Sequence, residues 1–199
     1  MPAFELFYDF TSPYSYLAST RVEALAQRTG ATLRWRPFFL GGVLKATGNR
    51  APIEVPAKGK HMLQDLARWA RRLGVPFRFP AVFPVPSLLA LRAAMAADKE
   101  GLLVPFTHAV FRAVWVEDQA IGKPEELAPV LTAAGLPGPR LVEAAPGEKE
   151  ALARQTQEAI DRGAFGAPAF FVGQELFLGN DRMDFLEEAL LAARAVRPA

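Results

Sequence analysis

The sequence lacks cysteine altogether, although it is 199 residues long. A protein without thiols can neither form nor exchange a disulfide with its own side chains, so that oxidoreductase chemistry is excluded. Histidine is nearly as scarce, because only His61 and His108 are present. Neither histidine stands in a close cluster with acidic residues and no thiolate ligand is available, so the sequence predicts no metal site.

Long apolar runs are also missing. Arg, Pro or Gly interrupts every apolar stretch well before it reaches a length of about 18 residues, which a membrane-spanning helix needs. The N-terminal residues Met1 to Glu5 contain no basic segment followed by an apolar one, as a secretory signal would. We therefore expect a cytoplasmic protein that does not contact a membrane.

A strong charge of one sign is missing too. The formal net charge is +2, and basic residues such as Arg68, Arg71 and Arg72 have the spacing of a solvated helix face. Nucleic-acid binding is therefore not expected, whereas a mild positive bias suits a small anionic ligand. A hydrophobic content of 51%, with 15 Phe, allows a substantial core, and the length fits one large domain or one domain with an insertion.

The beginning of the chain follows a β-α-β pattern. The aromatic-rich segment 4–10 predicts a strand, and Ser12 and Pro13 suit the N-cap and the first position of a helix. Apolar residues at helical spacing continue to Gly30, which is typical of a helix end. Segment 32–37 alternates as a second strand does, and the whole unit is long enough for a parallel crossover.

The rest of the chain changes character twice. Glycine and proline in segment 38–60 predict a long functional loop with a positive charge, whereas residues 61–162 are mostly helical. Segments 168–172 and 175–178 then predict a β-hairpin, and a final helix follows. This order predicts an α/β protein with a thioredoxin-like fold that is interrupted by a large all-helical insertion. The predicted division is 1–38 plus 163–199 for the thioredoxin-like domain and 39–162 for the loop and helical insertion.

Chemistry is expected first at Ser12-Pro13-Tyr14-Ser15, which stands where thioredoxin-like oxidoreductases carry Cys-Pro-Tyr-Cys. At a helix N-terminus the Ser12 hydroxyl can donate a hydrogen bond to an external thiolate and lower the pKa of that thiol. No histidine is close in sequence and no Gly-x-Ser-x-Gly segment is present, which argues against a Ser-His-Asp hydrolase. We therefore interpret Ser12 as a donor to a borrowed thiolate, with glutathione as its source; the alternative is a helix cap only.

Two further segments could hold the peptide that carries the thiol. In a thioredoxin-like fold Pro168 would follow a cis bond, and the Ala167 backbone could pair with a bound peptide. The alternative is a trans proline that opens an edge strand. In segment 179–182, Asp181 could contact the ammonium of a γ-glutamyl group. The amides at the start of the following helix could donate to the carboxylate of the same group. The alternative is that Asn180 or Asp181 simply caps the last helix.

Other polar and aromatic residues are less specific. Asn49 and Lys58 of the predicted loop could contact the glycyl end of the tripeptide. The large aromatic side chains are interpreted as core rather than as a substrate pocket; they are Trp35, Trp69, Trp115, Phe38, Phe39, Phe83 and Phe111. As an alternative, Trp115 could line a cleft between the two parts of the chain.

Taken together, these segments resemble the 2-hydroxychromene-2-carboxylate isomerase family, which is close to the kappa-class glutathione transferases within the DsbA-like thioredoxin group. The resemblance extends over nearly the whole chain. The segments that carry it are FYDFTSPYSYL (7–17), RPFFLGGV (36–43), KATGN (45–49), PAK (56–58), GAFGAP (163–168) and GNDR (179–182).

The resemblance implies a glutathione-dependent cis–trans isomerase. In that family the thiolate, assisted by the serine that matches Ser12, adds reversibly to an unsaturated aromatic acid; rotation and elimination then restore the alkene. The family reaction interconverts 2-hydroxychromene-2-carboxylate and trans-o-hydroxybenzylidenepyruvate in aromatic catabolism. The implied glutathione contacts are Ser12, Asn49, Lys58, Ala167, Pro168, Asn180, Asp181 and Arg182. Lys45 and Asn49 are implied for the substrate carboxylate, and a homodimer is implied for the assembly.

One departure and two alternatives accompany this interpretation. Relatives commonly have Lys-x-x-Tyr where this chain has Lys58-Gly59-Lys60-His61, which leaves the identity of the aromatic acid open. A kappa-like transferase would use the same Ser12 and stop at the glutathione adduct. A cysteine-free module could also bind peptides or small acids without catalysis.

Overall fold

A four-stranded sheet of order β2-β1-β3-β4 forms the centre of the computed structural model, which describes residues 1–195. The strands are β1 (Ala3–Tyr8), β2 (Thr32–Pro37), β3 (Ala169–Val172) and β4 (Glu175–Leu178). β1 and β2 are parallel, whereas β3 is antiparallel to β1 and to β4. With α-helices between β2 and β3, this topology confirms the predicted thioredoxin-like fold with a helical insertion. The last four residues of the predicted division lie outside the described residues.

Helices surround the sheet on both faces. In chain order they are α1 (Pro13–Thr29), α2 (Leu40–Thr47), α3 (Pro56–Leu73), α4 (Leu88–Lys99), α5 (Leu103–Trp115), α6 (Pro124–Ala133), α7 (Gly138–Ala144), α8 (Lys149–Asp161) and α9 (Met183–Ala195). Short 3-10 turns are found at Pro52–Glu54, Ala145–Glu148 and Asn180–Arg182. Within residues 1–195, none of the helices combines the length and the apolar character needed to cross a membrane.

Both ends of α1 are as the sequence predicted. Ser12 is the N-cap, and its hydroxyl oxygen accepts a hydrogen bond of 3.1 Å from the amide of Ser15. Pro13 occupies the first turn, where its missing N–H leaves no intrahelical bond unmade. Gly30 ends the helix in the left-handed conformation with φ of +66°. The N-terminus of α1 is therefore firmly fixed directly after β1.

The predicted loop 38–60 is wrong, because much of it is helical. α2 forms despite two adjacent glycines, and contacts with the distant Asp9 and the adjacent Phe39 explain why. The amide of Leu40, at the start of α2, donates to the buried carboxylate of Asp9 over 2.8 Å. The ring of Phe39 lies against Gly41, where an added Cβ would come within 2.8 Å of it. A helix whose first amide binds a residue 31 positions away leaves little signal in its own sequence.

The start of α3 corrects the same prediction in a second way. Pro56 is the first residue of α3, so the helix begins well before the predicted residue 61. Lys58 therefore lies in the first turn of a helix, and Lys45 lies in the last turn of α2. Proline at a first helical position is a local signal that sequence analysis could have used.

The two faces of the sheet pack against different layers. Leu6 and Tyr8 belong to the larger core, which includes α1 and the helices of the insertion. Phe7, between them in sequence, belongs to a second cluster with Phe171 of β3 and Ala159 of α8. This alternation follows from the two-residue period of a strand.

A network of ion pairs covers the second cluster. Arg36 and Arg162 both contact Glu5 of β1, with N···O distances of 2.8 and 2.6 Å. Both arginines also contact Glu158 of α8. The guanidinium of Arg162 lies 3.9 Å from the ring centroid of Phe171 and donates to the carbonyl oxygen of Gly173 over 3.0 Å. The network thereby joins β1, β2, α8 and the hairpin.

Replacing Arg162 by methionine should lower the free energy of unfolding by about 2–3 kcal/mol, because Glu5 would lose a partner while remaining mostly buried. Urea unfolding measures this change. Arg140→Met is the matched control: Arg140 pairs with Glu100 on the surface with its side chain 66% exposed, so its loss should stay below about 1 kcal/mol. Equal losses for the two variants would contradict a structural role of the network.

Candidate functional site

The first turn of α1 faces the segment that precedes β3. The Ser12 hydroxyl accepts from the amide of Ser15 and donates to the carbonyl oxygen of Ala167 over 3.2 Å, across 155 positions of sequence. Ser12 is only 3% exposed, yet it lines the main cleft of the protein. Its hydroxyl is thus held at the positive end of a helix and at the edge of a cavity.

The backbone beside Ser12 offers a place for an extended segment. The Ala167–Pro168 peptide bond is cis, as the sequence interpretation expected. The Ala167 carbonyl accepts the Ser12 hydroxyl, whereas the Ala167 amide makes no hydrogen bond within residues 1–195. Such an amide can donate to the backbone of an added peptide, in the manner of strand addition.

The cleft between the sheet edge and the insertion has a volume of about 1010 Å³. Its walls come from the start of α1, from α2 and the following turn, from α3, and from the segments around β3 and β4. The predicted site residues that line it are Ser12, Lys45, Asn49, Lys58, Ala167, Asn180 and Asp181. Pro168 is buried beside it, and Arg182 lies outside its lining, where it pairs with Asp181 over 2.7 Å. The roles assigned to these residues stay predictions.

Cationic side chains enter the cleft from the insertion. Lys45 and Lys58 are exposed, and neither forms an ion pair within the part of the chain that the structure describes. Asn49 is more constrained, because its Nδ2 donates to the carbonyl oxygen of Phe165 over 2.8 Å. The cations are therefore available to an anionic ligand, whereas Asn49 also ties the turn after α2 to the segment before β3.

The turn before α9 differs from the predicted helix cap. Residues Asn180–Arg182 form a 3-10 turn, and α9 begins at Met183. Within residues 1–195, neither the Asn180 nor the Asp181 side chain accepts a backbone amide, so the capping prediction is wrong. Gly179 has φ of +100°, and an added Cβ there would lie 2.6 Å from Asp181 Oδ1. Glycine therefore allows the turn to bring Asn180 and Asp181 to the cleft.

A hydrogen bond that the sequence did not reveal crosses the cleft wall. Tyr14 of α1 donates to Asp65 Oδ2 of α3 over 2.9 Å, and both residues line the cleft. Burial, together with the neighbouring carboxylates of Asp65 and Asp181, raises the pKa of Tyr14, so its phenol keeps the proton. The pair joins α3 to the first turn of the helix that carries Ser12.

Asp9 is a further residue whose role the sequence did not reveal. Its carboxylate is fully buried and accepts the amides of Thr11 and Leu40 over 3.0 and 2.8 Å. Its carbonyl oxygen accepts the amide of Ser12 over 3.0 Å. Burial raises the pKa of Asp9, and the hydrogen bonds oppose that rise. One residue thus joins the Ser12 turn to α2.

The aromatic residues divide differently from the prediction. Trp69 and Phe83, interpreted as core, line the cleft and give it apolar surface. The alternative place of Trp115 in the cleft is wrong, because its ring is fully buried and its Nε1 donates to the carbonyl oxygen of Phe10 over 2.9 Å. His61, on α3, also lines the cleft.

Several known proteins resemble this chain in architecture and in sequence. The family model of the DSBA-like thioredoxin domain matches residues 3–191. A 2-hydroxychromene-2-carboxylate isomerase of Sphingobium xenophagum is 37% identical over 94% of this chain and 97% of its own length. Glutathione S-transferase kappa 1 of Caenorhabditis elegans is 31% identical over 96% of this chain and 91% of its own length. A solved structure of a 2-hydroxychromene-2-carboxylate isomerase superposes with a TM-score of 0.86 at 32% identity, covering 96% of this chain and 95% of that one.

The buried Asp9 predicts a specific dependence of stability on pH. Because its pKa is raised in the folded protein, Asp9 contributes stability below its unfolded pKa of about 3.9 and loses it as pH rises through the folded pKa. The unfolding free energy of the wild type minus that of Asp9→Asn should therefore fall with rising pH. The total fall should be about 1.4 kcal/mol for each unit by which the folded pKa of Asp9 exceeds its unfolded pKa. Urea unfolding over a pH series measures it.

The control for Asp9→Asn is Asp161→Asn, which removes one negative charge from an exposed carboxylate that accepts a hydrogen bond from Gln157. A wild-type advantage over Asp9→Asn that grows with pH would show a lowered pKa and contradict the prediction.

Proposed function

Because the chain belongs to the DsbA-like thioredoxin family, in the group of the 2-hydroxychromene-2-carboxylate isomerases and kappa-class glutathione transferases, we propose that it is a glutathione-dependent isomerase of an unsaturated aromatic acid. The observation that carries the proposal is the Ser12 hydroxyl, held at the N-terminus of α1 against the Ala167 backbone in the cleft. We place this activity in the cytoplasm, where the reduced glutathione pool is available, and in a homodimer.

The groups that face the cleft fit a tripeptide with two carboxylates and one ammonium. The unpaired amide of Ala167, beside Pro168, suits the cysteinyl backbone. The buried Oδ1 of Asn180, without a partner in residues 1–195, and the carboxylate of Asp181 suit the glutamyl ammonium. Lys58 suits the glycyl carboxylate. Asn49 and Arg182 complete the predicted contacts at the glycyl and glutamyl ends.

When bound, glutathione would supply a thiolate that adds reversibly to the unsaturated acid. The task of Ser12 is to donate its hydroxyl hydrogen to that sulfur, while the positive end of α1 favours the charged form. At 3.2 Å, the present bond from Ser12 to Ala167 is longer than the about 2.7–2.8 Å typical of hydroxyl donors. Such a weak bond can be exchanged for a stronger one to an anion, because a hydroxyl rotates freely.

The cleft also contains groups that suit the aromatic acid. Trp69 and Phe83 provide apolar surface. Lys45 lines the same cleft and can pair with a carboxylate. The cleft volume of about 1010 Å³ lies at the upper end of the about 300–1,000 Å³ typical of ligand pockets, so a second molecule has room beside a tripeptide.

A transferase is the second candidate, favoured by the similarity to kappa-class relatives at 31% and 32% identity. It would use the same Ser12 and release the glutathione adduct instead of reversing the addition. A binding module without catalysis is the third. The isomerase and the transferase differ in what happens after glutathione binds, and the module differs from both in not needing glutathione, so binding and turnover assays together separate the three.

Calorimetry with glutathione, followed by ultraviolet absorbance of 2-hydroxychromene-2-carboxylate, tests the proposal. We expect binding at millimolar glutathione or below, and isomerisation that requires glutathione. Conjugation of an electrophile without isomerisation would identify the transferase instead. A protein that binds no glutathione at millimolar concentration would be the binding module, and the proposal would be wrong.

Replacing Ser12 by alanine should raise the pKa of the bound glutathione thiol by about 1–2 units, since a hydrogen bond to a charged group contributes about 1.5–3 kcal/mol. Thiolate absorbance of the complex over a pH series measures this pKa, and the pH–rate profile should shift by a similar amount. Loss of the N-cap should also destabilise the fold by about 1 kcal/mol.

Ser15→Ala is the matched control for Ser12→Ala. The Ser15 hydroxyl oxygen is buried in the same helical turn, has no hydrogen-bond partner in residues 1–195 and does not line the cleft. Its removal should leave the thiol pKa unchanged. An unchanged thiol pKa in Ser12→Ala would remove the proposed role of Ser12.

A further inference from the structure

Arg21 is a cation that contacts two residues of the cleft wall. It lies in the middle of α1 and is half-buried, and no carboxylate within the described residues forms an ion pair with it. Its Nη2 donates to the carbonyl oxygen of Asn180 over 2.6 Å, and its guanidinium carbon lies 5.5 Å from the ring centroid of Trp69. Its Nε is buried without a partner. Partial burial of an arginine without an ion-pair partner costs folding free energy, so the position of Arg21 calls for an explanation.

Both partners of Arg21 belong to the cleft wall. Asn180 comes from the turn before α9, and Trp69 comes from α3 of the insertion. Burial lowers the pKa of Arg21 from its ordinary value, but an arginine remains charged at any physiological pH. Asp184 is the acidic group that acts on it most, and Arg72 and Arg28 are the nearest cations.

The bond to Asn180 has a geometric consequence for the next amide. In a trans peptide unit the C=O and N–H groups point in opposite directions. Since the Asn180 carbonyl points to Arg21, the amide of Asp181 in the same unit points away from it. That amide has no acceptor within residues 1–195. A cation at the carbonyl also polarises the peptide and makes its N–H a stronger donor.

We propose that Arg21 is a positioning residue for the glutamyl carboxylate of glutathione, which it never touches. It fixes and polarises the Asn180–Asp181 peptide so that the Asp181 amide donates to that carboxylate. This inference rests on the proposed use of glutathione and assigns to Arg21 the anion selectivity of the glutamyl end. The buried, unpartnered Oδ1 of Asn180 marks the same end as a ligand site, because an acceptor there suits the adjacent ammonium.

The test combines two Arg21 variants with two ligands in calorimetry. One ligand is glutathione, and the other is 4-aminobutyryl-cysteinyl-glycine, which lacks the glutamyl α-carboxylate. Arg21→Met should raise the dissociation constant of glutathione about tenfold, whereas Arg21→Lys, which keeps a charged donor but not the planar stacking group, should raise it about threefold. For the analogue, both variants should change the dissociation constant less than about twofold, because the polarised amide has no carboxylate to bind.

A control and an independent readout accompany the binding data. Arg28→Met removes a cation two turns further along α1 that pairs with Glu187 on the surface, and it should leave both dissociation constants unchanged. The pKa of the bound glutathione thiol should also be unchanged in the Arg21 variants, since Ser12 is untouched. If Arg21→Met does not fold, Arg21→Lys alone still distinguishes the two ligands.

The outcomes separate the inference from the function on which it rests. Equal weakening of glutathione and the analogue would show a general structural role of Arg21 and overturn the inference, while the proposed function would stand. Unchanged glutathione binding in both variants would overturn it as well. A wild-type protein that binds neither ligand would overturn the proposed function, and the inference with it.

Discussion

The site depends on the pairing of β1 with β3, which brings the Ser12 hydroxyl within 3.2 Å of the Ala167 carbonyl oxygen. The two residues meet because β1 leads directly into α1 and pairs with β3, which follows Ala167. Strand pairing of Phe7 with Ala169 therefore brings a helix N-terminus and a free backbone amide to one edge of the cleft. Both features favour an anionic peptide ligand, and neither requires a thiol in the protein.

Asp9 explains how this edge stays fixed. Its carboxylate and carbonyl hold the turn before Ser12 and the first amide of α2, so the donor and one cleft wall share a single support. A buried carboxylate close to the Ser12 turn would oppose formation of a thiolate if it carried its full charge. Hydrogen bonds disperse that charge, and burial raises the pKa of Asp9, so both effects reduce the opposition.

The sequence predicted the parts of this site that local chemistry determines. Ser12 as N-cap, Gly30 as helix end and the hairpin at Gly173 follow from preferences of single residues and short turns. The failures have non-local causes. α2 contains two glycines, and its first amide depends on Asp9, 31 positions away in sequence, so local propensity could not reveal it.

The roles of the tryptophans were equally hidden from the sequence. Trp69 and Trp115 both lie on apolar helix faces, and periodicity says only that each faces the interior. Trp115 finds a buried acceptor in the Phe10 carbonyl, whereas Trp69 packs against Arg21 and faces the cleft. The difference depends on which neighbours the fold brings to each ring. The same holds for Tyr14 and Asp65, whose hydrogen bond joins two helices.

The distinction between isomerase and transferase must lie away from Ser12, since both would use the same thiolate. An isomerase has to retain its adduct through bond rotation, whereas a transferase has to release it. Retention requires contacts with the substrate elsewhere in the cleft, and Lys45 and Phe83 of its lining can supply charge and apolar surface. Lys45 belongs to α2, whose first amide is bound to Asp9. The residue that supports the Ser12 turn therefore also supports the helix that carries Lys45, which makes the two halves of the proposed reaction structurally interdependent.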